Sequence, residues 1–139
     1  MAQTRILYCD DEPSLRELVS EQLSERGFHV ESAPDGSQAI ALLEKDPAYD
    51  LLLLDINMPG KTGLDVLRYV KEKGLKCKTI MLTGRVGFNV ATESLKLGAQ
   101  GYINKSSLDL QPDGQIQKTE LNIDYLVSTI SRVLATSSA

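Results

Sequence analysis

Four consecutive leucines that end at an acid, residues 51–55 (LLLLD), constrain the fold more than any other stretch of the chain. A strand with one face in water alternates apolar and polar residues, whereas a strand covered by helices on both faces is apolar throughout. The run therefore predicts a central strand of a parallel sheet with helices packed on both of its faces.

Short apolar runs alternate with helical periodicity along nearly the whole chain. The spacing predicts strands at residues 6–9, 28–31, 51–54, 79–83 and 101–104. It also predicts five helices, bounded in chain order by Pro13 and Gly27, Asp35 and Leu43, Leu64 and Gly74, Val90 and Gly98, and Leu126 and Leu134. This alternation predicts an α/β fold with a doubly wound parallel sheet.

The composition argues against several classes of function. With 139 residues the chain fits one domain, and its net charge of -4 gives no electrostatic reason to expect binding to nucleic acid. No apolar run approaches the roughly 20 residues of a membrane span, so we expect a soluble, cytoplasmic protein without membrane contact. Cys9 and Cys77 lack the paired spacing of a metal site and are expected to be buried, reduced thiols.

Polar side chains stand at the carboxyl ends of four of the five predicted strands. They are Asp10, Asp11 and Glu12 after the first, Asp55 after the third, Thr83 at the end of the fourth and Lys105 after the fifth. Ligands of open parallel sheets bind beyond the carboxyl ends of the strands, so these groups are expected to meet at one edge. Clustered carboxylates repel one another and favour a cation, and their oxygen atoms suit Mg²⁺. Asp55 would then be an oxygen nucleophile toward a phosphoryl group that Thr83 and Lys105 hold.

Two alternatives use the same residues differently. Asp11 and Glu12 precede Pro13, where they could cap the first helix and complement its dipole. Gly60-Lys61-Thr62 matches the end of a nucleotide-binding P-loop, but that motif needs a glycine at the position that Asp55 occupies. The P-loop interpretation is therefore rejected, whereas the capping role stays open beside the metal-binding one.

Four segments, in this order, resemble the receiver domain of two-component response regulators, the CheY-like family: residues 10–12 (DDE), 55–60 (DINMPG), 83–84 (TG) and 102–105 (YINK). The resemblance runs from about residue 5 to residue 134. It implies a flavodoxin-like α/β fold with a doubly wound, five-stranded parallel sheet in the order 2-1-3-4-5 and five helices. It also implies a receiver domain over residues 1–134 and a tail or linker over residues 135–139.

The resemblance further implies a phosphorylation site and its cofactor. Asp55 matches the phosphoacceptor, which takes a phosphoryl group from a sensor histidine kinase or a phosphotransfer protein. Mg²⁺ is the implied cofactor, with Asp11, Asp55 and the backbone carbonyl of Asn57 as ligands and Asp10 acting mainly through a bound water. The implied enzymatic activity is limited to self-phosphorylation and autodephosphorylation at Asp55.

A switch is implied by the remaining matches. Lys105 matches the residue that pairs with the phosphoryl group, Thr83 the hydroxyl drawn toward it, and Tyr102 the aromatic that turns inward. Phosphorylation adds about 1.5 to 2 negative charges and would shift the surface formed by the fourth helix, fifth strand and fifth helix. That surface is expected to control a partner protein or an attached output domain, or to form a homodimer that depends on phosphorylation.

The sequence departs from the family at two places. Ser106 follows Lys105 where the family usually has proline, so we expect a trans peptide bond there, since a cis bond before a non-proline residue costs about 2.5 to 4 kcal/mol. The connection to the last helix is also longer than expected. Alternation from Leu108 onward and the turn signal at residues 112–114 (PDG) predict a hairpin inserted at about 107–118, with a disordered loop as the alternative.

Two rival functions use parts of the same pattern. A haloacid-dehalogenase-type phosphatase also has an aspartate nucleophile, Mg²⁺, a threonine or serine, and a lysine. Its acidic pair follows its nucleophile, however, whereas Asp10 and Asp11 precede Asp55. A receiver-like scaffold that is never phosphorylated would have lost some acids or Lys105, and all are present. We therefore predict a phosphorylation-controlled receiver.

Overall fold

A single parallel sheet of five strands forms the centre of the molecule. The structure, a computed structural model, describes residues 3–56, 58, 60–83, 93–108 and 121–135. Within these residues the sheet has the order β2-β1-β3-β4-β5. The strands are β1 (Arg5–Cys9), β2 (His29–Ala33), β3 (Leu51–Asp55), β4 (Lys78–Thr83) and β5 (Gly101–Asn104). The predicted doubly wound sheet, with strand order 2-1-3-4-5, is confirmed.

Helices follow the strands. They are α1 (Pro13–Glu25), α2 (Gly36–Lys45), α3 (Gly63–Glu72), the described turn of α4 (residues 93–96), the 3-10 turn η1 (Lys105–Leu108) and α5 (Ile123–Leu134). Side chains cap the starts of α1, α2, α3 and α5. Asp35 caps α2 by accepting a hydrogen bond of 2.8 Å from Gln38 N. Thr62 and Asp65 form a reciprocal capping box at the start of α3. No helix in the described ranges has both the length and the apolar character needed to cross a membrane.

The four leucines of β3 divide the core into two layers. Leu51 and Leu53 face the apolar side chains of α1 and α5, whereas Leu52 and Leu54 face those of α2 and α3. All four are fully buried. Successive residues of a strand point to opposite faces, so an unbroken apolar run is what a doubly covered strand requires. The prediction made from this run is confirmed.

Several element boundaries differ from the prediction. Asp55 is the last residue of β3 rather than the first residue beyond it, because its backbone still pairs with β4. β4 ends at Thr83, as the predicted strand at residues 79–83 does. β2 starts one residue later than predicted and extends to Ala33. The last helix begins at Ile123, one turn before its first fully buried leucine, because Asn122 caps it.

The predicted hairpin is wrong at its first residues. Residues 107 and 108 belong to η1, and Leu108 is fully buried in the core layer of α1 and α5. Asn122 N donates a hydrogen bond of 3.0 Å to the backbone oxygen of Leu108, and Leu121 is also buried. Residues 109–120, which hold the rest of the predicted hairpin, lie outside the described residues. The buried residues Leu108 and Leu121 thus fix the chain on either side of residues 109–120.

The peptide bond after Lys105 is trans, as expected for a bond before serine. The described residues contain no cis peptide bond. Lys105 is the first residue of η1, and Leu108 at its other end is inserted into the core. The turn and its buried leucine therefore hold Lys105 in place, although Ser106 follows it where the family usually has a proline.

Candidate functional site

Three carboxylates meet at the carboxyl ends of β1 and β3. Asp10 follows β1, Asp11 comes next in the chain, and Asp55 ends β3. The two strands are parallel neighbours, with Cys9 beside Leu54, so their ends bring these side chains together. One oxygen of each carboxyl group lies within 4.8 Å of an oxygen of each of the others. The structure therefore brings together the three acids that the sequence placed at this edge.

Lys105 supplies a positive charge between two of these acids. Its Nζ lies 3.2 Å from Asp10 Oδ2 and 3.4 Å from Asp55 Oδ2. These side chains are nearly excluded from solvent, with Lys105 7%, Asp10 0% and Asp55 2% exposed. Their attraction is screened less than it would be in water. Among the described side chains of this cluster, one ammonium group against three carboxylates leaves two negative charges in excess, which favours binding of a cation.

The donor set of this cluster fits Mg²⁺. Carboxylate oxygens are hard ligands, and Mg²⁺ in proteins is usually held by one or two of them together with water and phosphate oxygens. Asp11 is exposed while Asp10 and Asp55 are buried, so solvent reaches the cluster from the side of Asp11. The backbone carbonyl of Asn57, the further ligand expected from the sequence, lies outside the described residues.

Glu12 lies apart from the three-acid cluster and caps α1. Its carboxylate accepts a hydrogen bond of 3.4 Å from Ser14 N, and Pro13 occupies the first helical position. A carboxylate there pairs with a free N–H group and complements the helix dipole. The two roles that the sequence left open are therefore divided, since Glu12 caps the helix and Asp11 lies in the cluster.

Thr83 and Tyr102 lie on the same face of adjacent strands. Thr83 is the buried last residue of β4, and Tyr102 pairs with Met81 of that strand. Burial raises the pKa of Tyr102, and the nearby Thr83 side chain opposes that shift. The Tyr102 hydroxyl is buried, yet no group in the described part of the chain meets hydrogen-bond geometry with it. The Tyr102 hydroxyl therefore lies buried near Thr83 without a well-formed hydrogen bond to any described residue.

Sequence reasoning missed two residues that fix Asp10. The Tyr8 hydroxyl donates a hydrogen bond of 2.8 Å to Asp10 Oδ2. Arg16 Nη1 donates one of 2.8 Å to the backbone oxygen of Asp10. The contact of Tyr8 was available from the pattern, because residues two apart in an extended chain share a face. Arg16 gives no such signal, since its contact depends on how α1 leaves the loop after β1.

The loop between β3 and α3 is packed so closely that two glycines are required. A Cβ on Gly63 would lie 2.3 Å from the backbone oxygen of Asp55. A Cβ on Gly36, at the start of α2, would lie 2.4 Å from the backbone oxygen of Lys61. Both distances are far shorter than van der Waals contact. The start of α3 is therefore held against the end of β3, and Lys61 is held against the start of α2.

Both cysteines are buried and free, as predicted. Burial is the main cause that raises the pKa of Cys9 to about 12 and that of Cys77 to about 11. Both thiols therefore stay protonated and unreactive at neutral pH. Cys9 Sγ lies 3.3 Å from Met58 Sδ, which adds a contact between β1 and the loop after β3.

The chain belongs to the response regulator receiver domain family. The model of this family, described as the response regulator receiver domain, matches residues 6–111. Receiver domains of this family are signalling modules of two-component systems rather than conventional enzymes. The resemblance carried by the four short motifs is confirmed.

Several curated relatives are named transcriptional regulatory proteins. TrcR of Mycobacterium tuberculosis is 41% identical over 101 residues, which cover 73% of this chain and 39% of the relative. CpxR of Klebsiella pneumoniae is 43% identical over 101 residues, which cover 73% of this chain and 42% of the relative. The chain spans less than half the length of these relatives.

Solved structures confirm the CheY-like fold. The chemotaxis protein CheY4 of Vibrio cholerae has a TM-score of 0.77 and 29% identity, with 95% of this chain and 99% of that chain covered. The response regulator TrrA of Thermotoga maritima, solved in complex with Mg(2+)-BeF, has a TM-score of 0.74 and 30% identity. That comparison covers 94% of this chain and 99% of TrrA.

Proposed function

We propose that this chain is a phosphorylation-controlled switch in which Asp55 accepts a phosphoryl group from a sensor histidine kinase or a phosphotransfer protein. The observation that supports it most directly is the position of Lys105 Nζ between Asp10 and Asp55 within a cluster of three carboxylates. This arrangement offers an oxygen nucleophile, an excess of negative charge that calls for a cation, and an ammonium group for the incoming phosphoryl oxygens.

The proposed reaction transfers a phosphoryl group to a carboxylate oxygen of Asp55. That oxygen donates an electron pair to phosphorus while the P–N bond of a phosphohistidine breaks. The leaving imidazole nitrogen keeps the bonding pair and takes up a proton. The product on Asp55 is an acyl phosphate. Autodephosphorylation follows when water attacks phosphorus, so that inorganic phosphate leaves and the carboxylate is restored.

The residues around Asp55 have separate tasks in this proposal. Mg²⁺, held by Asp11 and Asp55 with Asp10 acting through a water, would neutralise charge on the carboxylates and on the phosphoryl oxygens when bound. Lys105 Nζ, 3.4 Å from Asp55 Oδ2, is placed to pair with a phosphoryl oxygen. The Thr83 hydroxyl would donate to another of these oxygens. Lys105 and Thr83 would thus each stabilise negative charge on a phosphoryl oxygen.

The proposed response lies on the surface of α4, β5 and α5. Movement of Thr83 toward the phosphoryl group would leave space for Tyr102, whose buried hydroxyl makes no well-formed hydrogen bond within the described part of the chain. Leu95 on α4 and Tyr125 on α5 are large apolar side chains exposed on the helices that flank β5. A partner protein, an attached output domain or a second copy of the chain would cover them in one of the two states.

The test is phosphorylation of the purified chain by acetyl phosphate in the presence of Mg²⁺, followed by intact-mass spectrometry. We expect one added phosphoryl group, which hydroxylamine removes and which is absent from Asp55→Asn. Labelling that persists in Asp55→Asn would assign the acceptor elsewhere. Lack of labelling in the wild-type protein would favour the unphosphorylated scaffold, and rapid turnover of phosphomonoesters would favour the phosphatase.

The metal assignment has its own test. Asp11→Ala should weaken Mg²⁺ binding at least about tenfold, since it removes a proposed ligand with little effect on the buried core.

Lys105→Ala should still be labelled, but labelling should no longer alter the surface of α4, β5 and α5, as monitored by hydrogen exchange. An equal response in this variant would remove Lys105 from the proposed switch.

A further inference from the structure

Tyr8 places a phenol directly beside the acid cluster. The ring is fully buried in the core layer of α1 and α5. Its hydroxyl lies 2.8 Å from Asp10 Oδ2, the oxygen that Lys105 contacts at 3.2 Å. A buried phenol hydroxyl needs a hydrogen-bond partner. Packing alone does not explain a phenol here, because β1 fills the neighbouring buried positions with apolar side chains.

The hydrogen bonds of Asp10 leave little of its carboxylate free. Oδ2 accepts a hydrogen bond from the Tyr8 hydroxyl and also faces Lys105. Oδ1 accepts a hydrogen bond of 3.0 Å from Glu12 N. An ionised carboxylate has about four acceptor positions. The protein thus uses most of them, and contacts on both oxygens fix the orientation of the group.

We propose that Tyr8 is a positioning residue for Mg²⁺ binding that acts through Asp10. It holds Oδ2 on the side of Lys105, so that the remaining acceptor position on Oδ1 serves the cation or its bound water. When a phosphoryl group draws Lys105 toward Asp55, the Tyr8 hydroxyl stays and keeps the buried Asp10 carboxylate hydrogen-bonded. The inference rests on the proposed function for the identity of the cation.

The test is calorimetric titration of MgCl₂ into the full chain, comparing the wild-type protein with Tyr8→Phe and Tyr49→Phe. Loss of an outer hydrogen bond to a metal ligand typically costs 10- to 100-fold in metal affinity. Because Asp10 acts through a bound water, we expect Tyr8→Phe to bind Mg²⁺ about tenfold more weakly, at the lower end of this range. Tyr49→Phe is the matched control. It also removes the hydroxyl of a buried tyrosine that donates to a carboxylate, that of Glu31, which is not in the acid cluster.

The outcomes separate this inference from the proposed function. Unchanged or tighter binding by Tyr8→Phe, or equal weakening by Tyr49→Phe, overturns the role of Tyr8 while the metal site stands. A wild-type protein that does not bind Mg²⁺ overturns the proposed metal site and the role of Tyr8 together. Weakening confined to Tyr8→Phe supports both.

A measurement on the wild-type protein covers the case in which Tyr8→Phe does not fold. With isotope-labelled tyrosine, the Cζ signal of Tyr8 should move during Mg²⁺ titration with the same midpoint as the calorimetric binding curve. The signal of Tyr49 should stay in place. A Tyr8 signal that ignores Mg²⁺ at saturating concentration contradicts the inference.

Discussion

Replacing Asp55 by asparagine should stabilise the fold when Mg²⁺ is absent. The substitution keeps the shape of the side chain and one accepting oxygen but removes a negative charge from a cluster that holds three. It also removes the cost of burying a charged group at a position that is only 2% exposed. The acid is therefore retained at the expense of stability.

The size of the effect follows from the distances. At an effective dielectric constant of about 20, two carboxylates within 4.8 Å repel by at least about 3.5 kcal/mol. Asp55 has two such neighbours, Asp10 and Asp11, so the total repulsion is about 7 kcal/mol. The attraction between Asp55 and Lys105, at 3.4 Å, is about 5 kcal/mol. Asp11 is exposed, so solvent reduces its share. We expect Asp55→Asn to raise the free energy of unfolding by about 1 to 2 kcal/mol.

The assay is urea unfolding in EDTA and again in saturating MgCl₂. Mg²⁺ stabilises the wild-type protein by mass action, by about 2.7 kcal/mol at a hundred times the dissociation constant, so the advantage of the variant should shrink or reverse. Asp65→Asn is the control with the opposite sign, because hydrogen bonds, chiefly from Thr62 N, lower the pKa of Asp65 and favour its charged form. An Asp55→Asn protein less stable than wild type in EDTA would refute the electrostatic reasoning.

Three further predictions concern the packing around the site and the opposite end of the sheet. Gly36→Ala should destabilise the fold by about 1 to 3 kcal/mol in urea unfolding, although alanine is the better helix former, and a gain in stability would contradict the close packing. Leu108→Ala should cost about 2 to 5 kcal/mol, whereas the exposed Leu95→Ala should change stability by less than about 0.5 kcal/mol; similar losses would argue against the buried anchor. The hydrogen bond from Tyr49 is the main cause that lowers the pKa of Glu31, so wild type should exceed Tyr49→Phe in stability at neutral pH. That difference should be lost as the pH falls below about 4, and a difference independent of pH would refute this cause.

Most of the fold could be predicted from the periodicity of apolar residues, because each buried strand and helix has its own spacing of apolar residues in the sequence. The run at residues 51–54 was enough to predict a central, doubly covered strand, and the glycine at 74 marked the end of α3 with a positive φ of 64°. The acids at the strand ends met because parallel neighbours bring their carboxyl ends to one edge. These predictions depended on local patterns and a single topological rule.

Contacts between segments could not be predicted in the same way. The division of tasks between Asp11 and Glu12 depends on how the chain turns into α1, which two adjacent acids do not reveal. Leu108 looked like a strand residue because it alternates with polar neighbours, yet a 3-10 turn carries it into the core. The close contact at Gly36 is made with Lys61, which lies in the loop before α3. Because the two residues are far apart in the sequence, no local pattern predicts this contact.

The hydrogen bond between Asn122 N and the backbone oxygen of Leu108 has a practical consequence for protein engineering. It joins the described residues on either side of the twelve-residue stretch 109–120. An epitope tag or a circularly permuted reporter spliced into that stretch would enter and leave at the same point. Lys105, three residues before Leu108, would keep its position beside Asp55. A sensor of phosphorylation could therefore be built without disturbing the proposed site.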